Sequence, residues 1–335
     1  MQANGTVLEQ YNSGASFLAV YPDYDLSLLP DWVIESLPLA RIIGAKKQTV
    51  ILPNGQKYQL NNSLNHMSGQ EWVFFINSVL NTRYLTAGPA SYAHSIRKIH
   101  PSPKPPQLMR DIILFFTKKN ELVFDCFMGV GGTLLGAAMC NRNAAGIDLN
   151  SDFIKAYQLA TEKLALPCFP TKAGDALSVL KKEKQMNGLL GSKPISLLLI
   201  DPPYGDMMSK LKTGADITVY GKTGTPFTSD SRDLGNMSSE SFLEALKKSI
   251  ELILPRIKHN GHVVIFVKDM QPSKKKLNML HYDVISKINE IPQLFYKGMR
   301  IWADQTAKLF PYGYPFSFVA NQIHQYILVF RKENC

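Results

Sequence analysis

From residue 121 onward, short apolar runs alternate with longer segments in which apolar residues recur every three or four positions. The short runs predict buried strands, and the three-to-four spacing predicts helices that bury one face. Alternation of the two predicts right-handed helical crossovers between parallel strands, with helices on both faces of the sheet. The predicted elements are strands at 122–124, 144–147, 196–200 and 263–267 and helices at 134–140, 153–164 and 242–257.

The segments 297–302 and 325–330 are also apolar and follow the last of these strands. We predict that they form an antiparallel pair that closes the sheet. The predicted fold class is therefore α/β: a Rossmann-like, doubly wound, mostly parallel sheet with a closing antiparallel hairpin. The sequence shows no internal repeat.

The first part of the chain follows a different pattern. Apolar segments on either side of Pro53-Asn54-Gly55 predict a β-hairpin over residues 48–60. Ser68 and Glu71 have the spacing of a helix capping box, and the apolar positions that follow predict a helix that continues through Val79.

A proline-rich segment at 101–106 precedes a further predicted helix at 107–116. Consecutive prolines restrict the backbone and interrupt regular structure, which is typical of a boundary or hinge. We predict an accessory region over residues 1–95 and a main, catalytic domain over residues 96–335.

The charge is unevenly distributed along the 335 residues. The net charge is +10, but residues 1–40 contain five acids and no Lys or Arg, so residues 41–335 carry 37 minus 22, or +15. A basic body favours a polyanionic partner such as nucleic acid. Because many basic soluble proteins bind no polyanion, charge alone does not decide between the two.

Four cysteines without CxxC spacing argue against a disulfide framework and a zinc knuckle. His281 and His324 lack the spacing of metal ligands, so we predict no metal site. No apolar run approaches the roughly 20 residues of a membrane span, and the N-terminus lacks the basic flank and apolar run of a signal peptide. We expect a cytoplasmic protein without a membrane partner.

A glycine-rich loop follows the strand that ends at Asp125, with Gly129, Gly131 and Gly132 ahead of a helix. Such loops let the backbone approach a ligand at the carboxyl end of a strand. The spacing matches neither the dinucleotide fingerprint nor the P-loop, which disfavours NAD and ATP. Asp148, 19 residues after Gly129, ends the next strand and could accept both hydroxyls of a ribose. A nucleoside cofactor is therefore predicted.

Asp175 follows another short segment and could accept the amino group of the cofactor's adenine. The alternative for each single residue is purely structural, since a glycine often marks a turn and an Asp often caps a helix. Only the combination of these residues on successive strand ends favours a ligand site.

The second loop, Asp201-Pro202-Pro203-Tyr204, follows the apolar run 196–200. The two prolines fix the backbone, so the loop is rigid. The Asp201 carboxylate and the Pro202 carbonyl could accept both hydrogens of a planar exocyclic amine, while the Tyr204 ring stacks on the attached heterocycle. A strand-ending turn is the structural alternative.

Three segments together resemble the amino-directed DNA methyltransferases, which methylate an exocyclic base nitrogen with S-adenosylmethionine. They are 100–108 (His-Pro-Ser-Pro-Lys-Pro-Pro-Gln-Leu), 124–133 and Asp201–Tyr204. The resemblance spans residues 100–205, and the later strands extend it to about residue 330. Cys126 stands where the family commonly has proline, which should alter loop stiffness rather than chemistry.

The resemblance implies roles for individual residues. It places Phe127, Gly129 and Gly131 beside the methionine part of S-adenosylmethionine, with Asp125 at the base of the same loop. Lys104 and Pro105 would hold the cofactor's carboxylate end, and Asp148 its ribose. Asp201, Pro202, Pro203 and Tyr204 would hold the target base. No cysteine nucleophile is needed, so we interpret Pro167-Cys168 as structural.

The same resemblance implies that the partner is DNA. It favours adenine as the target base, methylated at N6, as in the restriction–modification systems of prokaryotes or phages. The alternatives are cytosine-N4 methylation, guanine-N2 methylation of transfer RNA, and a non-catalytic DNA-binding protein. A base inside a duplex cannot reach such a site, so it must be flipped out. We expect residues 205–240 and 303–325, which mix glycines, cations and aromatics, to contact DNA. A dimer or a separate specificity or nuclease subunit is possible.

Overall fold

A computed structural model describes residues 6–205, 227–269 and 278–334 of the chain. Contacts divide the chain into a first unit, residues 1–77 with 114–119, and a second unit, residues 78–113 with 120–335. The division falls at residue 77 rather than at residue 95, because Val79–Thr82 is a strand of the second unit's sheet.

The first unit has a four-stranded antiparallel sheet with strand order β1-β2-β3-β4. Its buried core contains Phe17, Val33, Val50 and Tyr58. Its elements are α1 (Val7–Asn12), β1 (Ala15–Ser16), α2 (Phe17–Val20), α3 (Asp31–Ile34), β2 (Arg41–Ile43), β3 (Thr49–Ile51), β4 (Lys57–Gln59) and α4 (Gly69–Phe75).

The predicted hairpin is confirmed, since β3 and β4 pair antiparallel around a turn in which Gly55 has φ +84°. The predicted capping box also forms: Ser68 Oγ accepts the Glu71 N–H, and the Glu71 carboxylate accepts the Ser68 N–H. The predicted helix length is wrong, because α4 ends at Phe75 and Val79 begins a strand. The apolar spacing there fitted a helix although the residues at 79–82 alternate in exposure as an edge strand does.

The second unit is built on an eight-stranded sheet. Its strands are β5 (Val79–Thr82), β6 (Leu122–Asp125), β7 (Asn143–Asp148), β8 (Thr171–Ala173), β9 (Ile195–Ile200), β10 (Ile257–Val267), β11 (Leu294–Asp304) and β12 (His324–Lys332). Its helices are α5 (His94–Arg97), α6 (Pro106–Phe116, with its last residues in the first unit), α7 (Gly132–Ala138), α8 (Ser151–Leu164), α9 (Ala176–Leu180), α10 (Glu183–Leu190), α11 (Ser239–Ile253) and α12 (Leu280–Ile288).

The strand order is β5-β11-β12-β10-β9-β6-β7-β8. Strands β10, β9, β6, β7 and β8 run parallel, whereas β12 is antiparallel to both β10 and β11. The predicted α/β fold with a closing antiparallel pair is therefore confirmed. In the second unit, elements β5, β8, α5, α9, α10 and α12 were not predicted.

The central strands are apolar throughout because both faces of the sheet are covered. Every residue of β6 and β9 is buried. Parallel strands bring their carboxyl ends to one edge, and a large continuous core holds that edge in place. Among the described residues, no helix is long and apolar enough to cross a membrane.

Candidate functional site

The carboxyl ends of four neighbouring strands surround one cavity of the second unit. Strand β7 contributes Asp148, β9 is followed by Asp201, and β10 is followed by Lys268. The loop after β6 contributes Phe127 and Gly129. The strand-end acids that were predicted from separate parts of the sequence thus share one space.

Most of the predicted site residues line this cavity. They are Lys104, Phe127, Gly129, Asp148, Asp175, Asp201, Pro202, Pro203 and Tyr204. Asp125, Gly131 and Pro105 are not among the residues that line it. The structure gives each of these three a different position, described below.

Asp201 is bound on both carboxylate oxygens. The Lys104 ammonium lies 2.6 Å from Oδ2, and the Tyr204 hydroxyl donates to Oδ1 over 2.6 Å. The side chains of Lys104 and Asp201 are only 7% and 18% exposed, so solvent weakens this ion pair little. We predicted an acid open to an amine and a tyrosine ring available for stacking. In the structure the acid is already held by two groups of the chain itself.

Asp148 fixes the glycine-rich loop. Its Oδ2 accepts the Gly129 N–H over 2.8 Å, and its Oδ1 accepts the Asn150 N–H over 2.8 Å. Gly129 has φ +51°, in the left-handed region that glycine tolerates best. Burial raises the pKa of Asp148 to about 6, against the lowering effect of these two donors. The carboxylate remains on the cavity wall with lone pairs for further donors.

Asp125 is directed into its own loop and away from the main cavity. Its carboxylate accepts the Phe127 N–H over 3.0 Å and the Thr133 hydroxyl over 2.6 Å, and the residue is 2% exposed. Burial raises its pKa to about 7. Asp125 therefore shapes the loop, and it lines only a small neighbouring cavity with Phe127 and Gly129.

Gly131 faces a side chain of the core. It has φ +74° and precedes the first residue of α7. A Cβ atom there would overlap the Tyr157 ring. The glycine is explained by backbone conformation and packing, so the predicted cofactor contact has no support from its position.

Asp175 caps a helix and also lies at the cavity, so its predicted contact with the cofactor's adenine stays a prediction. Its Oδ2 accepts the backbone N–H and the hydroxyl of Ser178, which makes it the N-cap of α9. It also lines the main cavity, next to Ala176. Capping fixes the acid at the cavity wall.

An aromatic cluster that sequence reasoning missed lines the same cavity. The His100 ring lies 4.8 Å from the Phe153 ring and stacks on Phe227 at 4.9 Å, between centroids. Burial lowers the pKa of His100 to about 4, so its ring is neutral near pH 7. These rings form an aromatic part of the cavity wall.

A second cavity adjoins the first, and Pro105 lines it. Lys104, Lys268 and Gln325 line both cavities. Burial and the neighbouring Lys104 lower the pKa of Lys268. The buried Oε1 of Gln325 finds no hydrogen-bond partner among the described residues. Lys268 could have been found from the rule that ligands bind at strand ends, because it follows β10 directly.

Arg97 supports the site, but nothing in the sequence around it indicates this role. Its side chain is 1% exposed and donates to the backbone carbonyls of Lys104 and, over 3.3 Å, Val130. Burial lowers its pKa to about 10. Arg97 thus joins the proline-rich segment to the glycine-rich loop.

The two loops expected to contact DNA differ in what the structure shows. In the first, residues 206–226, with Lys210, Lys212, Tyr220 and Lys222, lie outside the described residues, as do Lys274–Lys276. The part from Phe227 to Leu234 helps to line the cavity. In the second loop, three aromatic side chains are 81–93% exposed: Tyr314, Phe316 and Phe318. Rings that packed against the neighbouring hairpin would be buried, so these three are available to a partner.

Cys126 and Cys168 are not placed for nucleophilic chemistry. Cys126 lines the cavity but is buried, and burial raises its pKa well above the usual value. Cys168 is exposed and not among the residues that line the cavity. In the described ranges, no group of three His, Cys, Asp or Glu side chains is arranged to hold a metal ion.

Comparison with known proteins agrees with the resemblance predicted from the motifs. An N6/N4 family model, that of a DNA methylase, matches residues 44–159, about a third of the chain. The type II methyltransferase M1.MboII of Moraxella bovis is 29% identical over 116 residues, 35% of this chain and 41% of that protein. M.HindIII of Haemophilus influenzae is 32% identical over 114 residues, 33% of each chain.

A transfer-RNA enzyme is also similar: the tRNA (guanine(10)-N2)-dimethyltransferase of Pyrococcus abyssi is 29% identical over 101 residues, 30% of this chain and 28% of that protein. Among solved structures, TrmN from Thermus thermophilus has a TM-score of 0.46 at 13% identity, covering 74% of this chain and 55% of that one. The chain thus spans less than half the length of the curated relatives it matches.

The family match confirms the predicted resemblance to amino-directed DNA methyltransferases. The cofactor that this resemblance implies is S-adenosylmethionine. The chemistry of the cavity fits this molecule. The cavity lining includes the carboxylates of Asp148 and Asp175, which can accept ribose hydroxyls and an adenine amine, and the aromatic rings described above. The lining also includes the Lys104 ammonium, which suits the carboxylate of an amino acid.

Proposed function

We propose that this chain transfers a methyl group from S-adenosylmethionine to the exocyclic amine of a base in DNA, with adenine N6 as the favoured target. The carrying observation is that Asp201 lines the same cavity as Asp148 and Phe127 and is bound by Lys104, a residue that also lines the adjoining cavity. An acid there can hold an amine next to the methyl donor.

In this proposal the chain acts by binding and orientation. The Asp201 carboxylate and the Pro202 carbonyl accept the two amine hydrogens, which draws the nitrogen lone pair out of conjugation with the ring. The Tyr204 ring stacks on the base. After methyl transfer the nitrogen carries a surplus proton, and it loses this proton towards the Asp201 carboxylate. The bound cofactor supplies an electrophilic methyl group. Alignment of the amine with that group provides most of the acceleration.

On the cofactor, the Asp148 carboxylate accepts hydrogen bonds from the ribose hydroxyls and the Asp175 carboxylate accepts one from the adenine amine. Lys104 holds the carboxylate, and the loop carrying Phe127 and Gly129 lies against the methionine part. The buried carboxylate of Asp125 and the conformation of Gly131 keep that loop in shape.

DNA as the partner is supported by the basic body of the chain and by the exposed aromatic side chains of residues 303–325. Flipping a base out of the duplex costs a few kcal/mol, which stacking and phosphate contacts must offset. Exposed rings on a loop can stack on bases of any sequence. Recognition of a particular sequence then falls to this loop, to the first unit or to a separate subunit.

Adenine is favoured over cytosine because Asp rather than Ser opens the Pro-Pro-Tyr motif, a tendency of the family. The second candidate is guanine-N2 methylation of transfer RNA, which is favoured by the similarity to the Pyrococcus abyssi enzyme. In both candidates the same acid binds an exocyclic amine.

The test is long-read sequencing of DNA from an expression host without native methylation, with Asp201→Ala as the control. We expect one base in one sequence context to be modified in cells with the natural chain and unmodified with the variant. The same purified protein is incubated with transfer RNA and labelled S-adenosylmethionine. Labelled RNA together with unmodified DNA would reverse the preference between the two candidates.

A further inference from the structure

We propose that Lys104 exchanges partners during the reaction cycle. In the ligand-free chain its ammonium holds Asp201, and when the cofactor binds it moves to the cofactor's carboxylate and frees Asp201 for the target amine. This inference rests on the proposed function, since it assigns an order of binding to the same site.

The starting state is the ion pair described above. Lys104 Nζ donates to Asp201 Oδ2 over 2.6 Å, and Tyr204 holds the other oxygen. An ammonium is an N–H donor like the amine of a base, and here it occupies an acceptor that the amine would use. A base that arrives first must therefore compete with a charged group that is already desolvated.

The side chain of Lys104 can move while its backbone stays in place. The Lys104 carbonyl accepts from the buried Arg97 guanidinium, which also holds Val130. Beyond that fixed point lies a flexible four-carbon stem. The lysine lines the main cavity, the second cavity and the small cavity with Phe127 and Gly129, so the space around it is open in several directions.

The exchange couples the two ligands. Whichever ligand binds first must break the Lys104–Asp201 pair, and this cost lowers its apparent affinity. The second ligand binds to a site in which the pair is already broken, so it does not bear that cost. The cofactor's carboxylate can form a new ion pair with Lys104 in place of Asp201, whereas the neutral amine of a base cannot. The cofactor should therefore bind before the base.

The experiment measures the affinity of the full-length chain for S-adenosylhomocysteine by titration calorimetry, without nucleic acid. The variants are Asp201→Asn, Lys104→Met and the double variant, with Lys98→Met as the control because Lys98 is exposed and not among the residues that line the cavities. We expect Asp201→Asn to tighten binding roughly tenfold, because a neutral amide releases Lys104 more readily. Lys104→Met should weaken binding, and Lys98→Met should leave it unchanged.

The double variant decides the matter. If Lys104 exchanges partners, adding Asp201→Asn to Lys104→Met gives no tightening. Tightening that persists without the lysine would mean that removing a nearby negative charge is sufficient, and would overturn the proposal, as would an unchanged affinity of Asp201→Asn. A natural chain that fails to bind S-adenosylhomocysteine overturns the proposed function itself, whereas a confirmed exchange without DNA methylation overturns only the choice of substrate.

Discussion

Asp125 and Asp201 lie at the carboxyl ends of neighbouring parallel strands, and they are used in opposite ways. Asp125 is 2% exposed and binds only its own loop, with a pKa raised to about 7 by burial. Asp201 faces the cavity and binds a lysine 97 residues away. A carboxylate at a strand end thus becomes part of the scaffold or part of the site according to its partners and burial.

The largest expected effect concerns the scaffold side of this comparison. Gly131→Ala should lower the free energy of unfolding by about 3 kcal/mol, because a methyl group overlaps the Tyr157 ring and φ +74° is strained for alanine. Chemical denaturation measures the loss. Gly188→Ala is the matched control, since nothing lies near its Cβ position in α10, and it should be neutral or slightly stabilising. Equal stabilities of the two variants would contradict the assignment.

In the cavity, two substitutions of Tyr204 distinguish the contribution of ring stacking from that of the hydrogen bond to Asp201. Tyr204→Ala should reduce methyl transfer roughly a hundredfold, since stacking of an aromatic ring on a base contributes about 1–3 kcal/mol. Tyr204→Phe keeps the ring and loses only the bond to Asp201, so a drop of less than about tenfold is expected. Steady-state kinetics with S-adenosylhomocysteine affinity as a folding control measures both. A Phe variant as inactive as the Ala variant would assign the role to the hydroxyl.

A smaller effect tests whether Asp125 is scaffold. Asp125→Ala leaves the Thr133 hydroxyl and the Phe127 N–H without their acceptor and should cost about 2 kcal/mol of stability. Asp125→Asn should cost much less, because a carboxyl with a pKa near 7 is already partly protonated. Thermal melts compare the two variants. If the Asn variant lost cofactor binding while melting normally, Asp125 would belong to the site after all.

The strand-end positions of these acids could be predicted from the sequence because each follows a short apolar run. The hydrophobic pattern also predicted most of the parallel sheet and the closing pair. What it could not indicate was direction: nothing in the local pattern distinguishes an Asp that turns into its loop from one that faces a cavity. The Lys104–Asp201 pair and the Arg97 contacts join distant segments, so they become visible only in the folded chain.

Edge elements were predicted least well for a related reason. The strand β5 is short and its exposure alternates, so its few apolar residues also fitted a helical spacing. It is held by pairing with β11, more than 200 residues later in the sequence. Local propensity carries little information about such a pairing.

The smallest expected effect concerns Asp148, which has properties of both acids, since it holds the Gly129 N–H and also lines the cavity. Burial raises its pKa from the usual 3.8 to about 6. Protonation below pH 6 makes it a weaker acceptor for ribose hydroxyls, so affinity for S-adenosylhomocysteine should fall several-fold between about pH 7 and pH 5.

The contribution of Asp148 to stability has the opposite sign. The folded state binds its proton more tightly than the unfolded state, so this contribution grows as the pH falls through 6 towards 3.8. Calorimetric titrations and melts across this range are compared between the natural chain and Asp148→Asn, which should bind more weakly and with less dependence on pH. If the affinity fell equally with pH in both proteins, the group that titrates would not be Asp148. Asp148 would then be a scaffold residue like Asp125.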